Sequence, residues 1–255
     1  RILRIMKDAS LLRFSRQIML PGFDIAGQQR LTRAKVLIVG MGGLGCPVAM
    51  YLTAAGVGSL IVVDDDVVEL TNLQRQIAHT ERDLGKSKVE SAKNTLAALN
   101  PEVNVVAINE RVDADRLSEL AEQVDVVIDA CDNFTTRFAV NAAAIQAGKP
   151  LVSGAAIRME GQVAVFDFRN PASPCYQCLY RPGGSDDNSC SANGVMAPVV
   201  GVIGSLQAIE TIKVLANYGE PLVGRLLIFD GLAMSWREVK LPRDANCAAC
   251  RHRSA

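Results

Sequence analysis

Short, continuous apolar runs alternate with longer amphipathic stretches over most of this chain. KVLIVG (35–40), SLIVVD (59–64), VNVVAI (103–108) and VDVVIDA (124–130) are β-branched runs of the kind that forms strands buried on both faces. LGCPVAMYLTAAG and GKSKVESAKNTLAAL fall between them with helical spacing. The first carries Pro47 in its opening turn, where the missing N–H is no loss, and the second stops near Asn100-Pro101. NFTTRFAVNAAAIQAGKP predicts a helix closed by Gly148 and Pro150, and PLVSGAAI and QVAVFDF continue the sheet. The alternation in QVAVFDF suits an antiparallel strand with one wetter face. The pattern dissolves into Pro, Gly, Ser, Asp and Cys from Arg169 to Asn193, a long crossing loop of the kind that is usually functional or tied down. An apolar helix over Pro198 to Leu215 and the strands RLLIFDG and MSWREVKL complete the pattern.

Leu11 to Arg33 reads as one or two helices ahead of the sheet, within an N-terminal helical segment of about 8–33. Together these elements predict an α/β fold with a Rossmann-like, mostly parallel sheet and an antiparallel extension. With neither repeat nor interdomain linker, residues 1–255 read as one domain.

Composition narrows the functions on offer. Lys plus Arg and Asp plus Glu both number 27, so the global charge carries no footprint for nucleic acid or an anionic membrane, and any anion site must be local. The apolar stretch from Val195 to Ile209 is interrupted by Pro198, Gly201, Gly204 and Ser205 and reads as a buried helix, not a membrane span. RILRIMKDASLLRFSR lacks the long apolar core and small-residue cleavage site of a secretory signal, so a cytoplasmic enzyme is expected.

Gly40-Met41-Gly42-Gly43-Leu44-Gly45 lies between a predicted strand and a predicted helix, the context in which GxGxxG has a meaning. Its glycines permit a tight turn and close approach of backbone to phosphate, at a helix N-terminus. Asp64 stands at the end of the next strand, about 20 residues on, where an acid meets ribose hydroxyls. Asp66 follows it. An adenosine-type nucleotide is implied, with a nicotinamide or flavin cofactor as the rival. Lys86 and Ser87 follow Gly85, but position 80 is not glycine, so there is no P-loop.

Polar groups then gather at the same sheet edge. Asn72, Gln74 and Arg75 follow the second strand, and Lys88 opens the next helix, all within reach of phosphates above the glycine loop. Asp132 leads into Asn133 at a helix start, where it reads either as a helix cap or as a hard oxygen ligand for Mg²⁺ beside a triphosphate. Only His79 and His252 exist and neither lies in a strand-end motif, so proton abstraction by imidazole is a poor reading. A carboxylate nucleophile, already ionised at pH 7, would need no base. Its attack on the α-phosphate of ATP requires alignment, Mg²⁺ and cations facing the developing charge.

Four of the seven cysteines form two CxxC pairs, Cys175 with Cys178 and Cys247 with Cys250, enough for a closed structural Zn²⁺ site, with disulfides or redox thiols as alternatives. Cys46 and Cys131 sit in apolar contexts and read as core. Cys190 lies in the polar loop, where it is either a nucleophile or an unused side chain.

Taken in order, GMGGLG, DDDVVELTNLQRQ, GKSKVES, DACDN, SGAAIRMEGQ, CYQC, GVMAPVVGVIGSLQAIE and CAAC resemble the MoeB/ThiF/HesA family of ubiquitin-activating-type adenylyltransferases, from about Leu11 to Cys250. SGAAIRMEGQ and GVMAPVVGVIGSLQAIE lean toward the molybdopterin branch, LIFDG and SWRE toward the thiazole branch. The resemblance implies adenylation, with Mg-ATP, of the C-terminal Gly-Gly tail of a ubiquitin-like (β-grasp) sulfur-carrier protein, with release of pyrophosphate. It implies that Gly43 belongs to the phosphate loop, that Asp64 takes the ribose, that Asn72, Arg75 and Lys88 hold phosphates, and that Asp132 engages the metal. It also implies a homodimer in which Arg16 reaches into the neighbouring active site, and a secondary role for Cys190 in sulfur transfer. Five residues follow Cys250, so the sulfur donor is expected to be a separate protein, a sulfurtransferase or cysteine desulfurase. An NAD-binding oxidoreductase and a non-catalytic carrier-binding scaffold are the readings from other classes.

Overall fold

The computed structural model describes residues 6–182 and 194–253. The apolar runs become β1 (Lys35–Val39), β2 (Ser59–Val63), β3 (Asn104–Ile108), β4 (Val126–Asp129) and β5 (Leu151–Ile157), all parallel and side by side in the order β3-β2-β1-β4-β5. Beyond β5 the sheet turns antiparallel through β6 (Glu160–Phe166), β7 (Arg225–Asp230) and β8 (Ser235–Lys240), giving eight strands among the described residues.

Helices cover both faces. The period of two sends Val36 and Ile38 of β1 to one face, where α3 (Asp24–Arg33), α4 (Gly45–Ala54), α5 (Lys88–Leu99) and α9 (Ala197–Ala216) bury Leu31, Leu52, Leu96 and Ile203. Leu37 and Val39 point to the other, under α6 (Ala114–Glu122) and α7 (Phe134–Ala147) with Leu117, Leu120 and Val140. The first core holds the glycine-loop helix; the second extends to the cysteines, which lie beside the short helix α8 (Tyr176–Leu179).

Three features differ from expectation. The N-terminal segment forms three helical pieces, α1 (Asp8–Arg13), α2 (Ser15–Ile18) and α3, because Phe14, buried to 4%, leaves the helical path at the first junction and Gly22 takes a positive φ before the third. Helix α6 was not foreseen; it starts at Asp113, whose carboxylate accepts from the Arg116 amide at 2.8 Å, and buries an i, i+3, i+4 stripe of Leu117, Leu120 and Ala121. Strand β6 has no wet face over Val163–Phe166, since α9 covers one side of the sheet and the second core the other. Helix α9 is the one helix among the described residues long and apolar enough to cross a membrane, and 56% of its most apolar window is buried inside the protein.

Candidate nucleotide site and four-cysteine site

At the C-terminal ends of β1 and β4, neighbours in the sheet, the chain departs in opposite directions. From β1 it enters α4 on one face; from β4 it enters α7 on the other. Such a switch point opens a crevice above the strands. Two loops stand together there, joined by Ala130 N–H to the Val39 carbonyl (3.0 Å), while Gly40 N–H fastens the first to the Val63 carbonyl of β2 (2.8 Å). Gly40 adopts φ +97°, and a Cβ on it would lie 2.7 Å from the Ala130 carbonyl oxygen. A Cβ on Gly45 would lie 1.9 Å from the Gly40 carbonyl oxygen. These two glycines are demanded by the protein's own backbone. Gly42 differs: its Cβ would meet nothing nearer than Gln76 Nε2, at 3.6 Å, so packing alone does not require glycine there.

Asp64 braces this loop, its carboxylate accepting from Met41 N–H at 2.6 Å and from Asp66 N–H at 2.9 Å. Burial raises its pKa, with Lys88 and the two amides pulling the other way. Lys88 is 5% exposed, and its Nζ sits 2.7 Å from Asp66 Oδ2. A buried ammonium in the first turn of α5 works against the helix dipole, so its presence there needs a reason beyond folding. Arg75 lies over the glycine loop, its Cγ 3.4 Å from where a Gly43 Cβ would stand, with Nη1 donating to the Thr71 carbonyl at 3.1 Å. The cap of α7 is Asn133, which accepts from Thr136 N–H at 2.9 Å, so Asp132 is not the cap; its exposed carboxylate accepts from Asn133 Nδ2 at 3.4 Å.

The resulting cleft has a volume of about 140 Å³. Gly40, Gly42, Gly43, Asp64, Asp66, Arg75, Lys88 and Asp132 all line it, so the structure brings these predicted residues together. Ala156, Val195 and Val200 supply an apolar wall. Backbone bonds from Arg158 N–H to the Gly194 carbonyl and from Met196 N–H to the Arg158 carbonyl hold Val195 against the β5–β6 hairpin. Gly45, Asn72, Gln74 and Asn133 do not line the cleft. Asn72 instead receives the Arg75 and Gln76 amides on its carbonyl, at 3.1 and 3.0 Å. Arg16 is exposed on α2, away from the cleft lining, and Cys190 lies outside the described residues.

Two polar lining residues carry no signal of their own in the sequence reading, Gln76 and Arg137. Gln76 is 3% exposed and its Oε1 has no hydrogen-bond partner. Arg137, 4% exposed, pairs with the buried Asp129 at 3.1 Å. The available signal was Asp129 itself, an acid inside an apolar strand, which requires a cation nearby.

His79 lies behind the glycine loop and is not among the cleft's lining residues. Its Nε2 is 3.2 Å from the Met41 carbonyl, which can only accept, so that nitrogen carries the proton and Nδ1 accepts from Ser91 Oγ at 2.9 Å. Burial lowers its pKa. This neutral imidazole fastens the loop to α5 and is not poised as a base. Burial pushes the Cys46 thiol up to about 12 and that of Cys131 well above its ordinary value, in keeping with core residues.

The sulfurs of Cys175, Cys178, Cys247 and Cys250 all lie within 4.8 Å of one another. Neighbouring pairs stand 3.6, 3.6 and 3.9 Å apart. Four thiolates around Zn²⁺ at about 2.3 Å form a tetrahedron with edges of about 3.8 Å, so the donor set fits that metal and fits a disulfide poorly. Backbone N–H groups of Cys175 and Asp244 point at Cys178 Sγ, at 3.4 and 3.5 Å. All four donors come from the protein, which leaves no open position for chemistry.

With this geometry in view, the family model described as the ThiF family matches residues 14–249. Molybdopterin-synthase adenylyltransferases of Salmonella typhimurium (strain LT2) and Escherichia coli (strain K12) are each 47% identical over 245 residues, covering 96% of this chain and 98% of theirs. Among solved structures, Escherichia coli MccB with ATP superposes with a TM-score of 0.79 at 27% identity, covering 89% of this chain and 68% of that one.

Proposed function

The chain belongs to the ThiF family, and from that premise we propose that it is an adenylyltransferase which activates the C-terminal glycine carboxylate of a ubiquitin-like sulfur carrier, the small subunit of molybdopterin synthase, at the expense of ATP. The observation that carries the reading is the convergence of Arg75 and Lys88 on a glycine-lined cleft whose only nearby histidine is neutral and engaged behind the loop.

The chemistry follows from that arrangement. A terminal carboxylate, with a pKa of about 3.5, arrives ionised and needs no proton acceptor. One of its oxygens bonds to the α-phosphorus while the bond from that phosphorus to the β-bridging oxygen breaks, and pyrophosphate leaves with the electron pair. Arg75 and Lys88 face the charge that grows on the phosphates. Asp64 takes the ribose, and Gly42, which packing leaves free to be larger, keeps room for phosphate against the loop amides. Gly43 and Asp66 complete the cradle from loop and strand end. Asp132 offers one exposed carboxylate beside the cleft, which suits the habit of Mg²⁺ of binding one or two protein carboxylates along with substrate phosphates. Bound there, Mg²⁺ would neutralise phosphate charge. Zn²⁺ at the four cysteines would clip the two CxxC segments together.

A homodimer is supported by the surface around Arg16. Leu12 on α1 and Met19 at the end of α2 are 78% and 71% exposed, an apolar flank suited to a second copy, across which Arg16 would enter the partner's cleft. Sulfur then comes from a sulfurtransferase or cysteine desulfurase, with Cys190 secondary to adenylation. Carrier-dependent exchange of labelled pyrophosphate into ATP tests the activity. Exchange is expected with a Gly-Gly-ending carrier and not with one truncated by its last glycine; a complete lack of exchange with the molybdopterin-synthase carrier but activity on a thiazole-pathway carrier would move the assignment to that branch.

A further inference from the structure

The nucleotide cleft and the cysteine site are joined by buried polar contacts that neither site requires alone. Asp129, at the end of β4, is 1% exposed. Its carboxylate accepts from Arg137 Nη1 at 3.1 Å, from Ser153 Oγ at 2.7 Å and from Cys131 N–H at 3.1 Å. Arg137 Nη2 donates in addition to the Cys131 carbonyl. One guanidinium thus grips the turn at both Asp129 and Cys131, immediately before Asp132, while itself lining the cleft.

The other end of the contact chain is Tyr176. Its ring meets that of Phe138, the residue after Arg137 on α7, edge to face with centroids 5.6 Å apart. Tyr176 follows Cys175 directly and shares α8 with Cys178. Its backbone N–H donates to Asn141 Oδ1 at 2.9 Å, and Asn141 sits one turn beyond Arg137 on the same face of α7. The rings of Phe138, Phe166 and Tyr180 surround it, with centroids 5.6, 6.3 and 5.1 Å away. Through Asn141 and Phe138, Tyr176 fixes the turn of α7 that carries Arg137.

A fastening between helix and sheet would explain the Asp129–Arg137 pair alone, although an apolar pair of similar volume serves stability as well. It does not explain why the second arm of the guanidinium reaches the carbonyl next to Asp132. We propose that Arg137 is a positioning residue for the adenylation, holding Asp132 where the metal-bound phosphates need it, and that Tyr176, through Asn141, ties the turn of α7 that carries Arg137 to the cysteine site. The inference rests on the adenylation reading above and adds to it a mechanical link between its two halves.

The test uses the full-length chain as Arg137→Lys, which keeps the charge and loses the fork, and as Asn141→Ala, which removes the acceptor of the Tyr176 amide. The double variant Asp129→Asn with Arg137→Gln serves if the first does not fold, since it leaves no buried charge unpaired. In carrier-dependent pyrophosphate exchange, Arg137→Lys is expected to raise the Mg²⁺ concentration for half-maximal rate by about 10-fold, the lower end of what supporting residues contribute to metal affinity, with excess Mg²⁺ restoring the rate. Asn141→Ala is expected to shift it the same way by less, with zinc content unchanged. Independently of activity, amide hydrogen exchange at residues 130–133 is expected to quicken in each variant. An unchanged Mg²⁺ requirement in folded variants, or unchanged protection of those amides, overturns the proposal. Absence of exchange in the wild type would instead strike the adenylation reading, and the amide measurement would still decide whether the strut exists.

Discussion

Replacing Lys88 by methionine separates what that residue does for the fold from what it does for the reaction. Methionine keeps the unbranched apolar stem in its buried setting and removes only the ammonium. On the stability side the loss is small, because the partner carboxylate of Asp66 is 66% exposed and water replaces the missing cation. Against that stands the relief of taking a buried charge out of a site where only one acceptor is near. The two effects leave a net change within about 1 kcal/mol of zero, which for a chain of this size moves the thermal midpoint by no more than about 4 °C. On the catalytic side, losing one preorganised charge contact to the transition state costs about 3–4 kcal/mol, or roughly 10²–10³ in rate. Thermal unfolding followed by circular dichroism and pyrophosphate exchange measured on the same preparation read both quantities. A folded Lys88→Met protein that exchanges within a few-fold of wild type would refute the assignment of this cation to phosphate; a variant whose melting point collapses would show that the ammonium holds the fold.

Other outcomes follow from the same geometry. Gly45→Ala should unfold or aggregate because its Cβ would stand 1.9 Å from the Gly40 oxygen, whereas Gly42→Ala should melt as wild type yet bind ATP less tightly, as read by calorimetry. Stripping metal with a strong chelator, or Cys247→Ala, should lower stability by about 4 kcal/mol, the loop-closure value for a clip spanning roughly 75 residues; a urea midpoint unmoved by chelation would speak against a structural metal. His79 has a folded pKa below 6.5, so the unfolded chain binds more protons below that pH and stability falls on acidification from 6.5 down to the folded pKa, by up to about 1.4 kcal/mol per pH unit. Urea titrations at several pH values should show this slope flattened in His79→Gln, and parallel slopes would exclude His79 as the source. Mixing Arg16→Ala with Lys88→Met, each inactive alone, should restore some exchange if Arg16 serves the partner's site, because the mixed dimer retains one complete cleft.

The doubly wound half of the fold was legible because its strands are buried on both faces and therefore carry unbroken β-branched runs, and because glycine and proline punctuate the helices between them. The amphipathic α6 escaped notice: its stripe of Leu117, Leu120 and Ala121 is short, and charged residues surround it. Strand β6 looked half wet because polar Gln162 and Asp167 give QVAVFDF an alternating look, while the packing of α9 over it is a tertiary fact. In the site, Gly40, Gly42, Gly43, Asp64, Asp66, Arg75, Lys88 and Asp132 line the cleft as strand ends and glycines suggested, whereas Gly45 and Asn72 do not. Asp132 and Asn133 were interchangeable as caps in the sequence; only the bond from Thr136 N–H distinguishes them. Arg137 and Gln76 were hidden because a helix arginine and a loop glutamine have no local signature. Their importance comes from Asp129 across the turn and from the cleft they face.

Mass spectrometry of the carrier after incubation with the pure protein, ATP and Mg²⁺ tests the central claim most directly. The account predicts a carrier bearing AMP on its terminal glycine carboxylate, formed by wild type and strongly diminished in Lys88→Met and Arg75→Ala. A carrier that stays unmodified while the protein binds a nicotinamide dinucleotide in the cleft would contradict it.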